Sequence, residues 1–272
     1  RYLEKGKGGS GAIGRIRLDR LDVLALQELY GGLQRERDLS ARTIRSLHAV
    51  IRRGLQYAAK VGATRGNVAD LVELPRLKER EVVAMSKKEA DAFLTAAEKD
   101  RYHALWLVLL SGSLRPSEAF ALQWQDFDPE TGKLHIQRKL TRRGGETGWR
   151  LEEPKTKRSR RVVVLPEVAV RALKTHKARQ NEERLLAGAE YTDDGFIFAT
   201  EFGSPLDGSN LYTRNYRRVM AQADIGHWEG EGERRKFIPK YRLYDLRHSS
   251  ATLLLRAGVH PKVVSERLGH AS

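Results

Sequence analysis

Between Pro75 and Val83 the chain runs Pro-Arg-Leu-Lys-Glu-Arg-Glu-Val-Val, charged, opened by a proline and without apolar periodicity. Regular apolar spacing stops before this segment and restarts after it, so the chain is constrained to fold as two bodies. The expected division is a helical unit over residues 1–76, a linker over 77–85 and a second unit over 86–272. With 272 residues and 40% hydrophobic content, each body has enough chain to bury a core, and global disorder is excluded.

In the first unit, Gly- and Lys-rich residues 1–14 read as a mobile entry segment. Leu21, Leu24, Leu26 and Leu29 predict a helix from Leu18 to Leu33, ended by Gly31-Gly32. Ser40 is a good N-cap for a second helix that places Ile44, Leu47, Ile51, Leu55 and Ala58 on one face. Arg42, Arg45, Arg52, Arg53 and Lys60 decorate the rest, and in so basic a chain they read as phosphate-contacting residues as readily as a solvated face. A short helix is expected at Asn67–Leu71.

The second unit opens with Ser86-Lys87-Lys88-Glu89, a capping-box sequence, and a helix through Ala97, with another from Tyr102 to Leu110. Leu134–Ile136 and Arg161–Leu165 read as short strands, and Phe196–Phe198 as one more. Thr141–Ser159, Gly- and Lys/Arg-rich, reads as an extended hairpin or loop. Helices are expected from Pro166 to about Leu186 and over Leu211–Ala223, Leu246–Ala257 and Pro261–Leu268. The expected fold class is mainly α with a small antiparallel β-sheet (α+β).

Fifty Lys and Arg against 35 Asp and Glu give a net charge of +15 and a pI near 10.1, the balance of a nucleic-acid binder. No run approaches the roughly 20 apolar residues that span a bilayer. Zero cysteines exclude disulfides and thiolate metal sites and fit a cytoplasmic protein. His248, His260 and His270 do not share a helical face and no carboxylate or thiol joins them, so no metal site is expected. The chain starts at Arg1 and not at a methionine, so a piece of a longer polypeptide is expected.

Two arginines far apart in sequence carry the chemical signal. Arg115 precedes Pro116-Ser117-Glu118, a helix start with proline in the first turn, and sits between apolar runs at 105–110 and 119–124. Arg247 opens a helix that Gly258 closes. A guanidinium donates two parallel hydrogen bonds and keeps its charge, so two of them could clamp one phosphodiester and stabilise a five-coordinate transition state. Lys155 and Lys157, ahead of Arg160-Arg161, could track the DNA backbone, or one could protonate a leaving oxygen. The residues themselves do not separate the two lysines.

These segments resemble the tyrosine recombinase (phage integrase) family from about Leu39 to Ser272. Gly112–Glu118 is similar to the first-arginine box, and Lys155-Thr156-Lys157 with Arg160-Arg161 to the lysine hairpin. Asp245-Leu246-Arg247-His248 and Leu268-Gly269-His270 are similar to the second-arginine box and the box after it. The resemblance implies a helical core-binding domain and a catalytic domain that clamp double-stranded DNA and act as a homotetramer at attachment sites. The chemistry it implies is site-specific recombination of a mobile element through a 3′-phosphotyrosine, with neither metal nor cofactor, in a bacterial or phage-encoded protein.

Arg115, Arg247 and His270 would hold the phosphate, with Lys155 as general acid. Lys157 and Arg160, with Arg42, Arg45, Arg52 and Arg53, would contact the DNA. One departure stands out: where the family commonly has histidine, three before the second arginine, this chain has Tyr244, a poorer base at neutral pH. The resemblance also puts the nucleophilic tyrosine beyond Ser272, so residues 1–272 alone are expected not to cleave. Two other readings share the scaffold: a non-catalytic DNA-binding protein, and strand cleavage of the type IB topoisomerase kind.

Overall fold

The computed structural model describes residues 13–77, 83–142, 148–153 and 160–269. The chain divides into two compact units, residues 1–81 and 82–272. Most of the segment expected as a linker, residues 78–82, lies outside the described residues.

In the first unit, helix α1 (Val23–Arg37) begins at Asp22, whose carboxylate accepts from the Ala25 amide at 2.8 Å. It does not end at Gly31-Gly32. Leu26, Leu29, Tyr30 and Leu33 keep their helical spacing on the buried face, Gly32 is itself buried there, and the helix stops only at Asp38, in left-handed conformation (φ 48°). Helix α2 (Ala41–Lys60) is capped by Ser40, whose Oγ accepts from the Thr43 amide. Its Ile44, Ile51 and Leu55 meet α1, with Ala69 from a single 3₁₀ turn at Val68–Leu71 and Val72 just after it closing the small core.

The second unit is built around helix α4 (His103–Gly112), whose residues Ala104–Leu110 are all buried. A helix apolar on every side belongs in the middle of a core. Helices α3 (Lys87–Ala97), α6 (Glu167–Ala187) and α9 (Asp245–Arg256) pack around it. Helix α3 starts with the reciprocal Ser86–Glu89 capping box. The short α5 (Pro116–Ala119) follows α4, and α10 (Pro261–Leu268) closes the described chain.

In place of one sheet, the described residues form three antiparallel two-stranded ribbons. β1 (Lys133–Ile136) pairs with β4 (Arg161–Val164), with Ile136 opposite Arg161. β2 (Lys139–Thr141) pairs with β3 (Arg150–Glu152) as the stem of the expected hairpin, and β5 (Gly226–Glu229) with β6 (Lys236–Pro239). Phe196–Phe198 is not a strand; Phe196 makes one isolated bridge, to Gln123. Side chains of α6 take the carbonyls a partner strand would use: His176 Nε2 meets Ile197 O at 2.7 Å and Gln180 Nε2 donates to Phe196 O at 3.0 Å.

The helix expected over Leu211–Ala223 is present as one helical run in which α7 (Gly208–Leu211) passes through a π turn (Tyr212–Tyr216) into α8 (Arg217–Gln222). The π turn accompanies the burial of Tyr216, which packs 5.8 Å from both Phe93 and Trp106. Among the described residues no helix is long and apolar enough to cross a membrane.

Candidate active site

Helix α4 ends where Ser113 takes a left-handed conformation (φ 54°), and the next residue, Leu114, drops into the core. That reversal leaves Arg115 as the N-cap of α5, with Pro116 supplying a first-turn φ without needing a hydrogen bond. Ser113 is locked by a 2.6 Å contact between its Oγ and that of Ser250 on α9. Its carbonyl accepts from Arg247 Nη1, also at 2.6 Å. The turn that aims one arginine therefore holds the other.

Glu118, buried on α5, gathers the guanidiniums. Its Oε1 accepts from Arg115 Nη1 at 2.6 Å, while its Oε2 accepts from the Arg115 amide at 2.9 Å and from Arg161 Nη2 at 2.8 Å. Arg247 Nη1 lies 3.8 Å from the same Oε2. Burial alone would raise the Glu118 pKa, but the hydrogen bonds and charge of Arg161, joined by those of Arg115, outweigh it and hold the carboxyl below its ordinary value. It is therefore an anion at neutral pH.

Arg247 lies in the first turn of α9 and is only 2% exposed. Its Nη2 donates to the Leu268 carbonyl at the end of α10. Burial and the neighbouring charge of Arg115 lower its pKa to about 10, which leaves it a cation near neutrality. Arg161 on β4 reaches Arg267 O with its Nε at 2.7 Å, and Arg267 donates to Val164 O and Ser111 O. Arg115 keeps 31% of its side chain exposed, and Tyr244 lies close enough to favour its charged form. The result is several fixed guanidiniums around one carboxylate, an excess of positive charge with an open edge, suited to an anion.

The structure thus brings Arg115, Arg247 and Tyr244 together. Tyr244 is exposed, with its ring edge-on to His248 at a centroid distance of 5.3 Å. Lys155, Lys157 and His270 lie outside the described residues. Arg160 is exposed and paired with Glu153 at 2.5 Å. The four arginines of α2 stand in the first unit and divide in two. Arg45 donates to Pro75 O at 3.0 Å and Arg52 pairs with Asp70 at 2.5 Å, whereas Arg42 and Arg53 have no side-chain partner among the described residues. Glu118 and Arg161 were not singled out by sequence; the signal for the first was a carboxylate three residues after Arg115, one helical turn on.

Among the described residues no three His, Cys, Asp or Glu side chains are placed to hold a metal ion. Fold and site together define a mainly helical protein with several arginines gathered around one buried carboxylate. By its sequence the chain belongs to the phage integrase family, whose model matches residues 83–272. It is 30% identical over 273 residues to a "Tyrosine recombinase XerC-like" protein of Caldanaerobacter subterraneus subsp. tengcongensis, covering 94% of this chain and 66% of that one. It is also 30% identical over 242 residues to an "Integrase" of Streptomyces ambofaciens, covering 86% and 58%. The chain therefore spans less than two thirds of the length of these relatives.

The solved Tn1549 transposon integrase, in complex with a circular intermediate DNA, shares the fold with a TM-score of 0.73 at 22% identity, covering 93% of this chain and 79% of that one. A lambda integrase tetramer bound to a Holliday junction matches with a TM-score of 0.62 at 16% identity, covering 93% and 65%.

Proposed function

We propose that the protein to which this chain belongs performs site-specific DNA recombination, integrating or excising a mobile element. A tyrosine oxygen attacks a DNA phosphorus and the 5′-oxygen departs, leaving a 3′-phosphotyrosine. A 5′-hydroxyl of a second strand then attacks that phosphorus, releases the tyrosine and rejoins the DNA. Arg115 and Arg247 bind the phosphate and strengthen their contacts as charge develops on it. Lys155 protonates the departing 5′-oxygen, His270 joins the phosphate contacts, and Tyr244 stands in a proton-transfer position with a weaker base than histidine.

Residues 1–76 form a core-binding domain and 86–272 the catalytic domain, joined by a linker at 77–85. Both clamp duplex DNA, and four protomers assemble on it, as the DNA-bound state of the Tn1549 neighbour and the tetramer of the lambda neighbour support. The observation that carries this reading is the meeting of Arg115 and Arg247 on one buried carboxylate, Glu118.

Tyr241 does not serve as nucleophile in this reading, because it is buried with its hydroxyl against Glu89 at 3.0 Å. Residues 1–272 by themselves are expected to bind DNA without forming a covalent adduct, and a chain continued to the tyrosine is expected to form one. A nicked suicide duplex carrying the element's cleavage site tests both. An adduct mapped to Tyr241 or Tyr244 would overturn this account, and binding without adduct by the continued chain would leave a DNA-binding protein.

A further inference from the structure

A left-handed backbone is ordinary for glycine and tolerated by aspartate, but it costs other residues free energy. Among the described residues, three that are not glycine adopt it: Asp38, Ser113 and Asp224. Both aspartates are exposed, whereas Ser113 is fully buried in the turn between α4 and α5. The glycine of this turn stands one residue earlier and meets a different need, since a Cβ on Gly112 would collide with Leu114 Cδ1. The costly conformation therefore falls on a serine with a glycine beside it.

Two links make that conformation matter. With φ at 54°, Ser113 turns the chain so that Leu114 enters the core and Arg115 becomes the N-cap of α5. Its carbonyl also accepts from Arg247 Nη1 at 2.6 Å. A turn relaxed to negative φ would reorient the peptide planes on both sides and change the spacing of the two guanidiniums. What opposes relaxation lies on α9: Ser113 Oγ meets Ser250 Oγ at 2.6 Å, and Ser250 is itself only 2% exposed. In a site this buried, a hydroxyl deprived of its partner is left unsatisfied, which costs more than a hydrogen bond normally contributes.

We infer that Ser250 is a positioning residue for the recombination chemistry, whose hydroxyl holds Ser113 left-handed and thereby sets Arg115 against Arg247. Being buried, it acts through the turn and not on the DNA. Groups that must meet one phosphate lose rate steeply when displaced by as little as about 1 Å. The effect of Ser250 therefore falls on the rate of cleavage and not on the hold on the duplex. This assignment rests on the reading above, in which both arginines act on one phosphate.

Cleavage of the nicked suicide duplex by a chain continued to the tyrosine, with duplex affinity and melting temperature measured alongside, tests it. Ser250→Ala is expected to cleave about tenfold more slowly at unchanged affinity, the rate equivalent of one lost hydrogen bond. Ser113→Ala keeps a Cβ in the left-handed position while losing the same contact, and is expected to match it. Ser113→Gly loses that contact too, but glycine stays left-handed without support, so its rate should lie within about twofold of the unaltered chain. Combining Ser113→Gly with Ser250→Ala should restore the rate that Ser250→Ala alone loses. A contact that contributed stability only would lower the melting temperature and leave the folded Ser113→Ala and Ser113→Gly chains equally fast. Equal rates for those two, or a double variant as slow as Ser250→Ala, would overturn the inference and leave the recombination reading intact. Failure of the unaltered continued chain to form any adduct would instead remove that reading, and this inference with it.

Discussion

The arginines of α2 and those around Glu118 are the same residue type used under opposite conditions. On α2, Arg42 and Arg53 are exposed and unpartnered among the described residues, free to follow a phosphate and weakened by salt. Around Glu118, Arg161 and Arg247 are buried and oriented by a carboxylate, by backbone carbonyls and by each other's charge. Burying them carries a desolvation penalty that only complete pairing offsets. The first arrangement suits holding a duplex, the second suits meeting charge at one point and at one moment of a reaction.

The largest effect that would break this contrast is at the hub. Glu118→Ala is expected to destabilise the second unit by about 3–5 kcal/mol, because it leaves buried guanidiniums unpaired. Chemical denaturation reads this directly, and a loss no larger than that of an exposed ion pair would mean the arginines do not depend on Glu118. Next in size, Arg115→Ala and Arg247→Ala, in a chain continued to the tyrosine, should each slow cleavage by about 10²–10³-fold. Affinity should fall far less, and equal losses of rate and affinity would make these two no different from the arginines of α2.

A smaller and more selective effect concerns the lysine hairpin. Lys155→Ala should cleave natural DNA slowly and recover on a duplex with sulfur in place of the departing 5′-oxygen, since a thiolate leaves without a proton. Rescue of Lys157→Ala instead would reverse the assignment. The smallest effect sharpens the comparison within α2 itself. Arg42→Ala and Arg53→Ala should each lower the slope of log affinity against log salt by about 1. Arg45→Ala and Arg52→Ala, whose side chains are engaged within the unit, should leave that slope nearer its original value.

Much of this fold was legible because the relevant signals are local. Ser40, Ser86 and Pro261 mark helix starts by hydrogen-bonding and φ preferences that act within one turn, and α2, α3 and α10 begin there. The Gly31-Gly32 pair misleads because the buried face of α1 runs through it, and packing overrides propensity. Strand β5 carries no alternating pattern: Gly226–Glu229 is almost wholly exposed, and Phe237 on β6 is the buried residue of the ribbon, too little to announce a strand. At the site, the two family-like arginine boxes were readable, but the partner that unites them was not. In the sequence Glu118 is only part of the helix start after Arg115, and only the fold brings Arg161 and Arg247 to it.

The end of α10 has a thermodynamic meaning of its own. Its last carbonyls, at Arg267 and Leu268, accept from Arg161 and Arg247, two of the guanidiniums gathered at Glu118. Occupancy of the site and the seating of α10 are therefore not separate equilibria. An anion that competes for Arg247 must loosen its hold on Leu268, and one that leaves the contact intact meets a guanidinium already oriented. By reciprocity, whatever fixes the course of the chain after Gly269 changes the affinity for the anion by the same factor that the anion changes it.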